Sequence, residues 1–397
     1  MSKLGTFAVS ISTLLAGCAS DGMDGMDGAS GAMGDPGDKG DTGDQGPPGP
    51  QLAAPAVYTL TNAVAGNQVA SYVRAETGSI SRAGKFDTMG TGTGGGLGSQ
   101  GALVFDDETG RFFAVNAGDD TVSMLVLGSD GSLQELAKVA SGGKRPVSVA
   151  ARSGVVYVAN QGDTTAAAVG ANIAGFAIDG DKLMPIASSV RSLSATTDVH
   201  PTDITLSPDG KFVVVAERLA NKLDVFALDG SSAAQVGSFQ ASAGMQPFAF
   251  DWSPEGFLVV AEVGDGSATG SSASSYSLGA TGTLTPITSV LATHQGAACW
   301  IQTAGGHAYV ANAASGTITG LAVSETGALT LLDQSGVTAV TGAGAIDLAV
   351  TPDRGYLYSL ANGAHTISVF AINADGSLTG RPSFLEPPAS AAGLVAR

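Results

Sequence analysis

The feature that most constrains this chain is a short motif that returns seven times. It reads VYTLTN ending at Asn62, FFAVN at Asn116, VVYVAN at Asn160, FVVVAE at Glu217, FLVVAE at Glu262, AYVAN at Asn312 and YLYSLAN at Asn362. Successive copies lie 54, 44, 57, 45, 50 and 50 residues apart. A period of this length, carried by β-branched and aromatic residues, marks propeller blades of four strands each. Residues 146 to 190 show the order within one blade: PVSVAARS, a Ser-Gly turn, VVYVAN, IAGFAID (173 to 179) and KLMPIASSV (182 to 190) as four strands. Turn residues recur at two places. SPDGK (207 to 211), SPEG (253 to 256) and TPDRG (351 to 355) follow the first strand, and DGS or ETG sequences follow the third. Asp, Pro and Gly supply the dihedrals that such hairpin turns need.

The first copy of the motif has no first strand in front of it. AAGLVAR (391 to 397) aligns with PVSVAAR and PTDITLS, the opening strands of two other blades, so the C-terminus is expected to complete blade 1 and close the ring. Closure removes an exposed pair of strand edges. It also predicts that the two ends of the propeller share the face of tight turns, leaving the face of longer loops pointing outward. The expected architecture is all-β: a seven-bladed propeller over residues 56–397, preceded by a stalk.

A propeller of this size uses roughly 300 to 350 residues as one unit, so one large domain is expected rather than two or three. The net charge of −17 excludes a nucleic-acid partner, because phosphate backbones are bound by clustered Lys and Arg. Cys18 and Cys299 are the only cysteines. If Cys18 is acylated, the exported fold stands without an internal disulfide.

Residues 1–17 have the layout of an export signal, with Lys3 followed by an apolar stretch too short to span a bilayer. The stretch ends in Leu15-Ala16-Gly17-Cys18, which resembles the lipobox of bacterial lipoproteins. That resemblance implies acylation of Cys18, and the following Ala19 and Ser20 imply an outer-membrane, cell-surface location in a Gram-negative cell. From Gly22 to Gln51 glycine occupies every third position ten times without a break, the collagen pattern in which only Gly fits the axis of three chains. Fully extended, residues 18–55 therefore contain a spacer of about 90 Å. Six Asp against one Lys, with Pro confined to the end, leave two forms open: a triple helix, which makes the protein a homotrimer, or an extended monomeric tether.

The repeat register sends a set of polar residues to the outward mouth of the central channel. The motif ends contribute Asn116, Asn160, Glu217, Glu262, Asn312 and Asn362, and the approaches to the innermost strands contribute Arg145, His200, Gln246 and His294. Blade 4 alone combines His200, Glu217 and Arg218, an imidazole, an acid and a cation suited to moving a proton and polarising a carbonyl. The competing reading is structural: terminal Asn and Glu residues cap strand ends and bond neighbouring blades. The run TMGTGTGGGLGSQG (88 to 101) lacks the Lys-Ser/Thr ending of a phosphate cradle and reads as a flexible loop. No His, Cys or carboxylate spacing suggests a metal, and no cofactor is expected.

HPTDITLSPDGKFVVVAE (200 to 217) with VFALDGS (225 to 231), and YVANAASGTITGLAV (309 to 323), resemble the seven-bladed lactonase family, which includes propeller-type 6-phosphogluconolactonases and carboxymuconate cyclases. The resemblance covers nearly all of residues 56 to 397. It implies a site on one face near the channel for a lactone or sugar acid, with His200, Glu217 and Arg218 as catalytic residues. Arg145, Glu262, Asn160, Asn116, Asn312 and His294 are the accompanying substrate contacts. The alternative function is a non-catalytic surface head that binds a protein or glycan, with the spacer setting its reach.

Overall fold

The computed structural model describes residues 56–163, 170–195 and 199–397, and every regular element within them is a β-strand. The export signal, Cys18 and the Gly-X-Y segment lie outside the described residues. The described strands form seven antiparallel sheets, each built from one meandering run of the chain except the first. In blade 1 the order from the channel outward is Ala392–Ala396, Ala56–Leu60, Gln68–Arg74 and Ile80–Asp87. The innermost strands of blades 2 to 7 are Leu103–Asp106, Pro146–Arg152, Pro201–Leu206, Pro247–Trp252, Ala298–Ala304 and Ala345–Val350. The expected closure is therefore observed. Tyr58 stands opposite Val395, and Ala56 and Arg397 exchange backbone hydrogen bonds of 3.0 and 2.8 Å, so both ends of the described propeller lie together.

The second strand of each blade is buried on both faces, which is why the recurring motif is almost continuously apolar. Where that strand carries a tyrosine three residues before its last residue, the ring fills the space between blades and its hydroxyl donates to the next blade. Tyr157 bonds Ser232 O at 2.7 Å, Tyr309 bonds Gly376 O at 2.8 Å, and Tyr358 bonds Gly78 O at 2.7 Å, the last across the ring closure. Blade 3 departs from the expected pattern. Instead of one outer strand over 182 to 190, Lys182–Pro185 pairs with one half of Asn172–Asp179 and Arg191–Ser192 with the other. Pro185 has no N–H with which to continue the ladder, and Ser189 Oγ bonds the Gly175 backbone in the gap.

Six of the seven innermost strands carry a one-residue bulge near the outward end, at Val147, Thr202, Phe248, Cys299, Asp347 and Gly393. The exception is blade 2, where the chain arriving at the strand first crosses the channel. This crossing corrects the reading of residues 88–101 as a flexible loop. Ser99 Oγ donates to Val147 O at 2.7 Å, and Trp300 Nε1 donates to Ser99 O at 2.9 Å. The Gln100 amide donates to Phe250 O at 3.1 Å and accepts from Ile301 N at 2.9 Å. Gln100 N bonds Thr202 O and Val149 N bonds Gly101 O, each at 2.9 Å. Residues 99–101 are thus tied to blades 3, 4, 5 and 6 and plug the channel. Innermost strands present unpaired backbone groups to the channel, and the plug satisfies several of them.

Candidate functional site

Five consecutive blades enter their innermost strands in the same way. Arg145, His200, Gln246, Ala297 and Gly344 each precede the first residue of the strand and have φ of 53°, 52°, 56°, 54° and 68°. The carbonyls of these residues accept N–H groups from Gln161, Arg218, Val263, Ala313 and Asn362, just past the second strand, at 2.8 to 3.1 Å. Left-handed backbone costs a residue with a Cβ about 1–2 kcal/mol, and the closing hydrogen bond helps to hold it. The side chains of Arg145, His200, Gln246 and Ala297, with Gly344 contributing backbone alone, lie at the same end of the channel and form one rim. Arg145 is exposed, while His200 and Gln246 are half-buried. His294, also left-handed at φ 58°, is exposed three residues before the blade 6 entrance.

Blade 4 supplies the most organised part of the rim. Arg218 N donates to His200 O at 3.1 Å, and Arg218 Nε donates to Gln246 Oε1 at 3.1 Å. Gln246 in turn donates to Gly264 O at 3.0 Å, which fixes its amide for the guanidinium. Burial lowers the Arg218 pKa, although an arginine remains charged throughout the ordinary pH range. Arg145 stands beside a paired charge: its N–H bonds Asp120 Oδ1 at 2.8 Å, and Lys144 Nζ lies 2.6 Å from Asp120 Oδ2. Beneath the blade 4 entrance lies the plug, held there by Gln100 N on Thr202 O.

Of the six motif-end residues expected at the mouth only Asn362, half-buried and bonded through its N–H to the blade 7 entrance, lies at this rim; the other five do not join it. Asn116, Asn160, Asn312, Glu217 and Glu262 are all 0% exposed. Asn116 bonds Thr88, Ser123 and Asn67; Asn160 bonds Ser141 O and Asn172; Asn312 bonds Thr317 and Thr319. Glu262 accepts from Ser272, Ser274, Ser242 and the Gly244 N–H, and Glu217 accepts from the N–H and hydroxyl of Ser194. Placing Glu217 and Glu262 at the mouth is thereby corrected. The second strand ends with its side chain turned into the blade, against the linker arriving from the previous blade. A sequence signal for this exists: the linkers read Thr88-Met-Gly90, Ser141-Gly-Gly143 and Ser242-Ala-Gly244. A Cβ on any of these three glycines would overlap Asn116, Asn160 or Glu262.

On the opposite side of the plug a cavity of about 510 Å³ reaches the turn face at Asp107, Arg152 and Pro352. Its buried carboxyls bridge innermost strands. Asp203 accepts from Ile204 N at 2.9 Å, Phe250 N at 3.0 Å and Gln100 at 3.2 Å, and Asp251 accepts from Thr303 N at 2.8 Å. Burial pushes Asp203 well above the usual carboxylate range and Asp347 up to about 8. Among the described residues no three His, Cys, Asp or Glu side chains are grouped to hold a metal ion.

The model of the seven-bladed β-propeller lactonase family matches residues 182–300 and 263–391, which together span more than half of the chain. The chain belongs to that lactonase family. Solved propellers agree on the fold. A candidate 6-phosphogluconolactonase from Bacteroides uniformis is similar over 85% of this chain and 98% of its own, at 20% identity and a TM-score of 0.66. A periplasmic gluconolactonase from Pseudomonas aeruginosa is similar over 85% and 98%, at 18% identity and a TM-score of 0.65. A candidate 6-phosphogluconolactonase from Bacteroides fragilis is similar over 87% and 99%, at 18% identity and a TM-score of 0.63. No curated protein matches the chain by sequence.

In this lactonase-family propeller the mouth offers an imidazole and a guanidinium held by the Gln246 amide, and neither motif-end carboxylate, Glu217 or Glu262, reaches it. An imidazole near neutral pH can take and return one proton. A half-buried guanidinium held by Gln246 can stabilise a developing oxyanion.

Proposed function

We propose that this chain hydrolyses an unphosphorylated, sugar-type lactone at the blade 4 entrance. The observation that carries the reading is the fixed Arg218 beside His200: the backbone of one bonds the backbone of the other, and Gln246 orients the guanidinium. His200 takes a proton from water as the oxygen attacks the lactone carbonyl carbon. Arg218 stabilises the resulting oxyanion. When the tetrahedral intermediate collapses, the ring C–O bond breaks and His200 returns the proton to the departing alkoxide, giving the open hydroxy acid. Arg145 and His294 flank the mouth and contact the substrate's outer hydroxyls; Glu217 serves by holding the linker that leads to His200.

One observation and one expectation support a lactone without phosphate. The Lys144 ammonium is paired with Asp120, and a protein exported on the signal of residues 1–17 would not meet cytoplasmic sugar phosphates. In this reading acylated Cys18 anchors the protein at the outer membrane, and the Gly-X-Y segment carries the outward face away from it. Base uptake at constant pH over a panel of lactones tests the activity. Turnover is expected with neutral aldonolactones and falls about 10²- to 10⁴-fold in His200→Ala. No base uptake with any lactone would instead favour a recognition head. Sedimentation tests the stalk: a trimer should become a monomer when residues 22–51 are removed, and a monomer from the outset excludes the triple helix.

A further inference from the structure

Blade 4 differs from its neighbours at one buried position. Seven residues beyond the end of the second strand, the adjoining third strand carries Ser123 in blade 2, Thr319 in blade 6 and Ser368 in blade 7, and blade 5 brings Ser274 to the same role after a longer loop. Blade 4 carries Asp224 there, facing Glu217, and both are 0% exposed. Glu217 is occupied by the N–H and hydroxyl of Ser194, and the groups that hydrogen-bond Asp224 are that same Ser194 backbone N–H and the Glu217 carboxyl itself. Two carboxyls enclosed face to face cannot both ionise, so the pair holds one proton.

We propose that Asp224 is a positioning residue for the His200–Arg218 entrance: its protonated carboxyl donates to Glu217 and keeps that carboxylate fixed on Ser194. The proposal rests on the lactonase reading of this entrance. Glu217 directly precedes Arg218, and Ser194 begins the linker that ends at His200, so the pair grips both arms of the site. Burial first, then the hydrogen bond with Glu217 and after it the Glu217 charge, push Asp224 up to about 9. The charged groups acting on it are Glu217 and, on its own strand, Lys222, which partly offsets the shift; the linker packed over the pair brings Ser194.

The sign of the pH effect follows. The folded state keeps a proton that the unfolded Asp releases near its ordinary pKa, so this pair's contribution to stability falls as pH rises from about 4 to 9. In Asp224→Asn the amide donates permanently, and thermal unfolding should decline less over that window than in the natural chain. Asp224→Ala removes the donor: turnover should fall about tenfold and Ser194 N–H exchange should quicken. Asp224→Ser, which restores the hydroxyl of the other blades, should recover both. Parallel pH–stability curves for the natural chain and Asp224→Asn would overturn the shared proton. Unchanged Ser194 exchange in Asp224→Ala would overturn the positioning role whether or not any lactone is turned over. Absence of turnover in every form, with these two physical differences intact, would count against the lactonase reading alone.

Discussion

Blades 3 and 6 and blades 4 and 5 share one backbone plan but stabilise it differently. In the first pair the second strand ends Tyr-Val-Ala-Asn, at 157–160 and 309–312; in the second it ends Val-Val-Ala-Glu, at 214–217 and 259–262 by position. Each tyrosine ties its blade to the next by a hydroxyl on a neighbouring turn, and each asparagine meets neutral partners. The valines make no such tie, and the glutamates bury charge among hydroxyls and backbone N–H groups. Blades 3 and 6 therefore act as mechanical joints. Blades 4 and 5 instead place tightly bonded polar networks beside the entrances of His200 and Gln246.

The strongest way to break this contrast is to crowd a linker. In Gly244→Ala the new Cβ would overlap the Glu262 carboxylate, which is itself held by Ser272 and Ser274 and has no free direction of retreat. The loss is expected to be about 3 kcal/mol or more. Gly296→Ala in blade 6, one residue nearer its entrance where the aligned position is Gln295, meets the backbone of Ala268 at 3.1 Å and beyond and should cost about 1 kcal/mol. Urea unfolding of both variants reads the difference. Equal losses would show that the glutamate does not set the linker's shape.

Removing the end residues themselves should separate the blades less widely. Glu262→Ala removes the acceptor of four donors, of which Ser242 and Ser274 retain the Tyr276 hydroxyl while the Ser272 hydroxyl and Gly244 N have no second acceptor among the described residues, and should cost about 3 kcal/mol. Asn312→Ala leaves the hydroxyls of Thr317 and Thr319, the latter still donating to Gly336 O, and should cost about 1.5 kcal/mol. If Asn312→Ala proves the more damaging, the buried carboxylate is a burden that its hydroxyl partners merely offset.

Much of this was legible before any coordinates. The spacing of the seven motifs and the unpaired first copy predicted the ring and its closure, because strand periodicity and turn residues are local properties. The entrance was legible too, since Arg145, His200 and Gln246 each precede Pro and fall at one register position. The direction of Glu217 was not. It depends on a linker of the preceding blade whose Ser194 reaches the carboxylate through space, and the motif alone does not say which side of the strand end meets solvent. The plug was equally hidden. Its glycines suggest freedom, but Ser99 and Gln100 find fixed partners only because innermost strands from four blades converge on the axis.

The smallest effect offers the cleanest reading of the joints. Tyr309→Phe keeps the ring that fills the space between blades 6 and 7 and removes only the hydroxyl, leaving Gly376 O without that donor. A loss of about 1 kcal/mol is expected, as for a typical buried hydrogen bond. Introducing tyrosine at Val259, the matching position of blade 5, should not supply the reverse gain, because that side chain is fully enclosed and a larger ring must displace its neighbours. A stabilising Val259→Tyr would mean that the acid blades lack the joint by sequence alone; a destabilising one means that their packing has been built around its absence.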